Sequence, residues 1–134
     1  MMTVSMIQRI KTIVLVLMTS VLGACAQSAD SIRSVDATAF ERAIQADSVQ
    51  VVDVRTADEY AAGHIAHAVN IDVLQPAFMD SARRLDRHRE VYVYCRSGKR
   101  SMAAARQLAA AGYRVVNLRG GIIEWAAAGK SVVK

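Results

Sequence analysis

Two rhythms of apolar and polar positions alternate along the chain. Near-continuous, β-branched apolar runs occur at 49–54 and 91–94, with shorter ones at 69–71 and 114–118. Runs without a polar face predict strands buried on both sides, as in a parallel sheet. Between them the apolar residues are spaced for helices. Asp36 is placed to cap a helix over 37–45, with Phe40, Ala43 and Ile44 on one side and Glu41, Arg42 and Gln45 on the other. Thr56-Ala57-Asp58-Glu59 fits a capping box, so a short helix starts at Thr56 and Gly63 ends it. Phe78, Met79, Ala82 and Leu85 predict a helix over 76–87. Met102, Ala105 and Leu108 predict another over 101–111, stopped by Gly112, and Gly120-Gly121 breaks the chain before a last helix at 122–128. Strands alternating with helices predict the α/β class: a small parallel β-sheet flanked by helices on both faces, with right-handed crossovers. No internal repeat or second domain is visible.

Residues 1–24 stand apart. They hold no acid and two bases, Arg9 and Lys11, followed by an apolar run from Ile13 to Met18 that continues to Val21. A spanning helix needs about 20 apolar residues. This shorter run behind a basic stretch reads as a cleaved export signal and is excluded from the fold. Leu22-Gly23-Ala24-Cys25 resembles the lipobox of bacterial lipoproteins. That resemblance implies cleavage before Cys25 and a diacylglyceryl thioether on its sulfur. It further implies an exported protein of the bacterial cell envelope, held at the membrane by its N-terminal lipid and facing the periplasm. Ala26 after that cysteine fits outer-membrane sorting if the source is Gram-negative. Ala24-Cys25-Ala26 also fits ordinary cleavage after Ala26, which would leave a soluble periplasmic protein. Residues 25–34 are small and polar and read as a flexible tether, with the domain expected over 35–130.

Composition narrows the function classes. With 53% hydrophobic residues, 7 Gly and 1 Pro, the chain is neither disordered nor fibrous. Its 134 residues allow one domain. Taking the two bases of residues 1–24 from the 17 Lys and Arg leaves 15 against 12 acids, a net charge of +3. This surplus is too mild to demand nucleic acid as a partner. The densest basic run, Arg83-Arg84 with Arg87, His88 and Arg89, reads as the solvated face of a helix. Two cysteines cannot form a disulfide scaffold. With Cys25 given to lipid, Cys95 is the one free thiol; a Cys25–Cys95 disulfide is the competing arrangement.

Cys95 ends a buried strand and opens Arg96-Ser97-Gly98-Lys99-Arg100-Ser101, where a helix begins. Ligands of open α/β sheets bind at the carboxyl ends of the strands. Loop N–H groups turned inward can form an anion nest, and the helix N-terminus adds positive potential. Gly98 permits the positive φ of a tight loop. Arg96, Lys99 and Arg100 add three cations near the sulfur. Together these predict an accessible thiolate nucleophile facing an anion-binding cup.

This loop resembles the active-site loop of the rhodanese (sulfurtransferase) family. Two further stretches agree. Val52-Asp53-Val54-Arg55, Glu59-Tyr60, Gly63-His64-Ile65 and Ala68-Val69-Asn70-Ile71 resemble a second family signature, and Gly120-Gly121 with Trp125 a third. Where the family often has Gly, His67 precedes Ala68. The resemblance implies a rhodanese-like fold and ping-pong sulfur transfer. Cys95 would attack the outer sulfur of a small anionic donor such as thiosulfate, and a thiol or cyanide acceptor would remove that sulfur from the persulfide. Arg96 and Lys99 would attract the donor's sulfonate, Arg100 would close the loop and Ser101 open the helix. The resemblance implies no metal and no organic cofactor. Tyrosine-phosphatase chemistry uses Cys, five residues, then Arg; here Arg100 follows Cys95 after four, the shorter loop of the sulfur-transferring members. A non-enzymatic anion- or partner-binding module is the alternative. Asp53 and Arg55 are expected to be structural, bonding loop amides and pairing with Glu59. His64 is expected to bond backbone, and Trp125 to sit in the core.

Overall fold

The computed structural model describes residues 31–134. Residues 1–24, read above as an export signal, and Cys25, the expected lipidation site, lie outside the described residues. Strands β1 (Ile32–Val35), β2 (Val49–Asp53), β3 (Val69–Asn70), β4 (Glu90–Tyr94) and β5 (Val115–Leu118) form one sheet in the order β1-β5-β4-β2-β3. Every pairing is parallel. The helices among the described residues are α1 (Ala37–Ala43), α2 (Ala57–Ala62), α3 (Phe78–Ala82), α4 (Lys99–Ala110) and α5 (Gly121–Ala127).

Successive strand side chains point to opposite faces, and the sheet therefore carries two cores. On one face Val52, Val54, Val91, Val93 and Val115 meet α3 and α4 through Phe78, Ala82, Ala104, Ala105 and Leu108. On the other, Val51, Tyr92, Tyr94, Val116 and Leu118 meet Phe40 of α1 and Trp125 of α5. Phe40 lies edge-on to Tyr92, Tyr94 and Trp125, with centroids 5.3, 6.5 and 6.2 Å away. The two-sided helical cover expected from the pattern is present. Local signals also act as read. Asp36 accepts the Ala39 N–H at 2.8 Å, and the Thr56/Glu59 capping box closes in both directions.

Four details depart from the pattern. Residues 32–34 are not tether but edge strand, because Ile32 to Val35 run in register with Val115 to Leu118. The domain also continues past residue 130: His64 and Val133 exchange backbone hydrogen bonds, both 2.8 Å, and Trp125 Nε1 donates to the Ser131 carbonyl at 3.0 Å. The helix predicted over 76–87 shrinks to Phe78–Ala82, since its start has no side-chain cap and the Arg84 and Leu85 N–H groups turn to carbonyls three residues back, at 3.3 and 3.0 Å. The basic run beyond it is consequently not a solvated helix face. Arg83 and Arg84 are exposed, Arg83 beside Asp80 at 3.4 Å, whereas Arg87 holds the carbonyl of Ala111, and Arg89 those of Asp47 and Val49. Arg87 also lies over the Tyr113 ring, 5.4 Å from its centroid.

His67 stands out in the backbone. Its φ is +68°, the sole left-handed non-glycine value among the described residues. The turn around it is closed by Ala68 N–H donating to the Ile65 carbonyl at 3.1 Å and by the Tyr60 hydroxyl donating to the Ala68 carbonyl at 2.8 Å. A left-handed L-residue costs about 1–2 kcal/mol, part of which glycine returns through its freer unfolded chain. His67→Gly is therefore expected to stabilise the domain by about 0.5–1 kcal/mol. Thermal unfolding reads this as a higher Tm, and an unchanged or lower Tm contradicts it.

Candidate active site

All strands end at one edge of the sheet. Cys95 lies just beyond β4, the middle strand, flanked by β5 and β2. Its side chain shares the face of Val91 and Val93 and joins the core beneath α4. The chain then turns through Arg96, Ser97 and Gly98, the last at φ +107°, and enters α4. This turn brings the Gly98 N–H onto the Cys95 Sγ at 3.0 Å. The Ser101 Oγ sits 3.3 Å from the same sulfur and 3.1 Å from the Gly98 carbonyl. Burial pushes the thiol pKa up. Hydrogen bonds from the Ser101 side chain and from the N–H groups of Ser101, Gly98 and Ser97 outweigh it, and the net direction is down. Among the described residues Cys95 has no disulfide partner.

Two expectations are corrected here. Of the three cations expected to ionise the sulfur, Arg100 feels the charge of Cys95, but none of the three hydrogen-bonds Sγ. Arg96 and Lys99 are exposed and form no ion pair among the described residues. Arg100 directs both terminal nitrogens at Glu59, at 2.8 and 2.9 Å, so its charge is answered there. Backbone N–H groups and one hydroxyl carry the local stabilisation. Nor does the sulfur lie open: Cys95 is 1% exposed, because the strand's alternation turns it into the core and the loop folds over it.

Residues 36–128 match the rhodanese-like domain. The chain belongs to the rhodanese-like family. It is 42% identical over 95 residues to a sulfurtransferase of Allochromatium vinosum, covering 69% of this chain and 86% of that one. It is 35% identical over 96 residues to the putative sulfurtransferase YtwF of Bacillus subtilis, covering 70% and 90% respectively. Among solved structures, a rhodanese-related protein from Thermoplasma volcanium superposes with a TM-score of 0.69 at 33% identity, over 75% of this chain and 97% of that one.

In this rhodanese-like domain the start of α5 clamps the cysteine loop from outside. The Ile122 N–H donates to the Cys95 carbonyl at 2.9 Å and the Ile123 N–H to that of Arg96 at 3.2 Å. Gly121 makes the approach possible. A Cβ there would lie 2.6 Å from the Ser97 nitrogen and closer still to the Arg96 carbonyl, at a φ of +61°. The sequence marks the glycine pair as a break but does not show that it docks on a loop some 25 residues earlier. Gly121→Ala is expected to cost about 3 kcal/mol and to reduce turnover more than tenfold by displacing the loop. Unfolding and activity measured together check this; a fully active, equally stable variant refutes it.

The supporting residues act as a scaffold, with one change of partner. Arg55 binds the buried Asp53 carboxylate through Nη2 at 2.6 Å and Nε at 3.0 Å, and gives Nη2 to the Gly63 carbonyl at 2.7 Å. It does not pair with Glu59. The Tyr94 phenol, raised by burial and by the neighbouring Asp53 carboxylate, stays protonated and accepts the Ile65 N–H at 3.0 Å. Asn70 donates to the carbonyls of Asp53 and Arg55. His64 stacks on Tyr60 with centroids 3.7 Å apart, and its Nδ1 lies 3.0 Å from the Tyr60 carbonyl.

Glu59 reaches across to the loop. Its hydrogen bonds from Arg100, set against partial burial, hold its pKa at about 2, below the usual 4.5. A depressed carboxylate stabilises the fold fully above its unfolded pKa and loses that contribution as pH falls through the folded one. The stability gap between the wild type and Glu59→Gln should therefore be constant above pH about 5 and shrink toward pH about 2. Denaturant titrations across that range measure it, and a gap that widens on acidification is the contrary result.

Proposed function

We propose that this protein is a sulfurtransferase working through a persulfide on Cys95. The Cys95 thiolate attacks the outer sulfur of an anionic donor such as thiosulfate. The donor's S–S bond breaks, sulfite departs with the electron pair, and Cys95 keeps the sulfur as a persulfide. A thiolate or cyanide then attacks that terminal sulfur and restores the Cys95 thiolate. Arg96 and Lys99 attract the donor's sulfonate, the Gly98 N–H and Ser101 hydroxyl hold negative charge on sulfur, and Arg100 ties the loop to Glu59. The observation that carries this reading is the Gly98 N–H at 3.0 Å from Cys95 Sγ, with Ser101 Oγ at 3.3 Å, at the carboxyl edge of the sheet. The sulfurtransferase relatives support it. No metal or organic cofactor takes part in this scheme.

The site of action we propose is the bacterial cell envelope, with Cys25 lipidated and the domain held at the membrane on the periplasmic side. Leu22-Gly23-Ala24-Cys25 behind the apolar run supports this placement. Mass measurement of the natively expressed protein checks it through lipid on Cys25.

The 1% exposure of Cys95 favours a second reading, a non-enzymatic module that binds an anion or a partner. Intact mass after incubation with thiosulfate separates the two. One added sulfur on Cys95, removed by cyanide, supports transfer. No adduct with thiosulfate or polysulfide supports the binding module.

A further inference from the structure

A cleft of about 720 Å³ opens far from the cysteine loop. It sits at the amino ends of β2 and β4, on the α1/α5 face of the sheet. Cys95 is at the carboxyl end of β4 and faces the other core, roughly 16 Å away along the strand. Half-buried Ile44 and Val49 and exposed Val69 give the cleft its apolar surface, over a floor of buried Val51, Ile65 and Trp125. A volume of this size suits a small organic ligand.

Besides the amides of Gln45 and Gln50, a guanidinium and an imidazole, those of Arg89 and His67, line this cleft. Arg89 is anchored through Nη2 to the carbonyls of Asp47 and Val49, at 2.6 and 2.7 Å. Its Nε is sealed from solvent, and so from the cleft, without an acceptor; with Nη2 on the two carbonyls, Nη1 is the nitrogen left to meet a ligand, and no carboxylate pairs with the guanidinium among the described residues. A half-buried guanidinium bound only to neutral carbonyls lacks a counter-charge, and an anion would supply one. His67, the residue with the left-handed backbone, also lines the cleft. Strained conformations persist where a side chain is needed in place, and glycine at this position would leave the wall without its imidazole. The acids nearby do not compete for these donors. Glu41 is paired with Lys130 at 2.8 Å, and Asp47 meets Arg89 only through its carbonyl.

We propose that this cleft is a second binding site, for an amphipathic carboxylate. The ligand's apolar body lies along Ile44, Val49 and Val69, above Trp125, and its anionic head meets Arg89 and His67. The site is separate from Cys95, so the proposal stands whether or not sulfur transfer does.

Trp125 is the only tryptophan in the chain and reports on the cleft directly. Octanoate added to the purified protein is expected to change Trp125 emission saturably at submillimolar concentration. Arg89→Met should weaken this binding at least tenfold and His67→Gly a few-fold, and octanol should bind at least tenfold more weakly than octanoate. Absence of a saturable change up to several millimolar overturns the proposal. So does octanoate binding to Arg89→Met at the wild-type affinity, or octanol binding to the wild type as tightly as octanoate. The octanol comparison needs only the wild-type chain and decides the matter should Arg89→Met fail to fold.

Discussion

Serine in place of Cys95 is expected to leave no measurable sulfur transfer, a loss of at least about a thousandfold. The argument is one of leaving and accepting groups. A persulfide needs sulfur bonded to sulfur, and a serine hydroxyl is neither ionised near neutral pH nor able to exchange sulfane sulfur. The fold should hardly notice. The oxygen still meets the Gly98 N–H and the Ser101 hydroxyl, which hold Cys95 Sγ at 3.0 and 3.3 Å. Unfolding of the variant should therefore match the wild type while transfer from thiosulfate to cyanide disappears. Activity surviving in Cys95→Ser would remove the nucleophile from the mechanism. The thiol's lowered pKa adds a second reading of the same atom. Alkylation of wild-type Cys95 should proceed below the pH at which an ordinary thiol ionises, pKa about 8.5, and should slow as pH falls through the shifted pKa.

The largest loss of stability is expected from Asp53→Asn, about 3–5 kcal/mol. Asp53 is fully buried and Arg55 is 6% exposed, with 2.6 Å between their closest charged atoms. Removing one charge strands the other in the core: the amide oxygen and the Gly63 carbonyl can still accept from Arg55, but neither carries a charge. Domains of this size have total stabilities of about 5–15 kcal/mol, so a large fraction goes with a single atom exchange. Replacing both residues by apolar ones, as in Asp53→Leu with Arg55→Met, should cost less than the sum of the single changes, because no lone charge remains buried. Chemical denaturation of the two single variants and the double variant measures the coupling. Additive losses would show that the two residues act independently. Activity should fall along with stability, since Asp53 and Arg55 fix the start of α2, α2 presents Glu59, and Glu59 holds Arg100 of the cysteine loop.

Much of this architecture is written locally. Val49–Asp53 and Glu90–Tyr94 are strands because β-branched and aromatic residues there suit burial on both faces of a sheet. The caps at Asp36 and Thr56 involve residues three apart, so their chemistry is complete within one helical turn. The cysteine loop is legible for the same reason: the strand, the glycine and the helix start are contiguous. Where the reading went astray, side chains had spacing without a supporting cap, as at 76–87, or charges whose partners lay elsewhere.

Partner choice was decided only in three dimensions. Glu59 faced two candidate arginines, Arg55 four residues away and Arg100 forty-one away, and the structure joins it to the distant one. Arg55 is occupied because alternation along β2 buries Asp53 beside it. The glycine pair at 120–121 reads as a chain break, yet its role is to let α5 donate two N–H groups to the backbone of the cysteine loop. Strand and helix order, the sheet class and the place of Cys95 between a strand and a helix start were legible in the residues alone, because hydrophobic periodicity and capping are short-range. The tertiary structure alone decided how deeply that thiol lies, which donors surround it and which cations remain free. Those properties depend on contacts between segments far apart in the chain, and no local pattern encodes the distance between them.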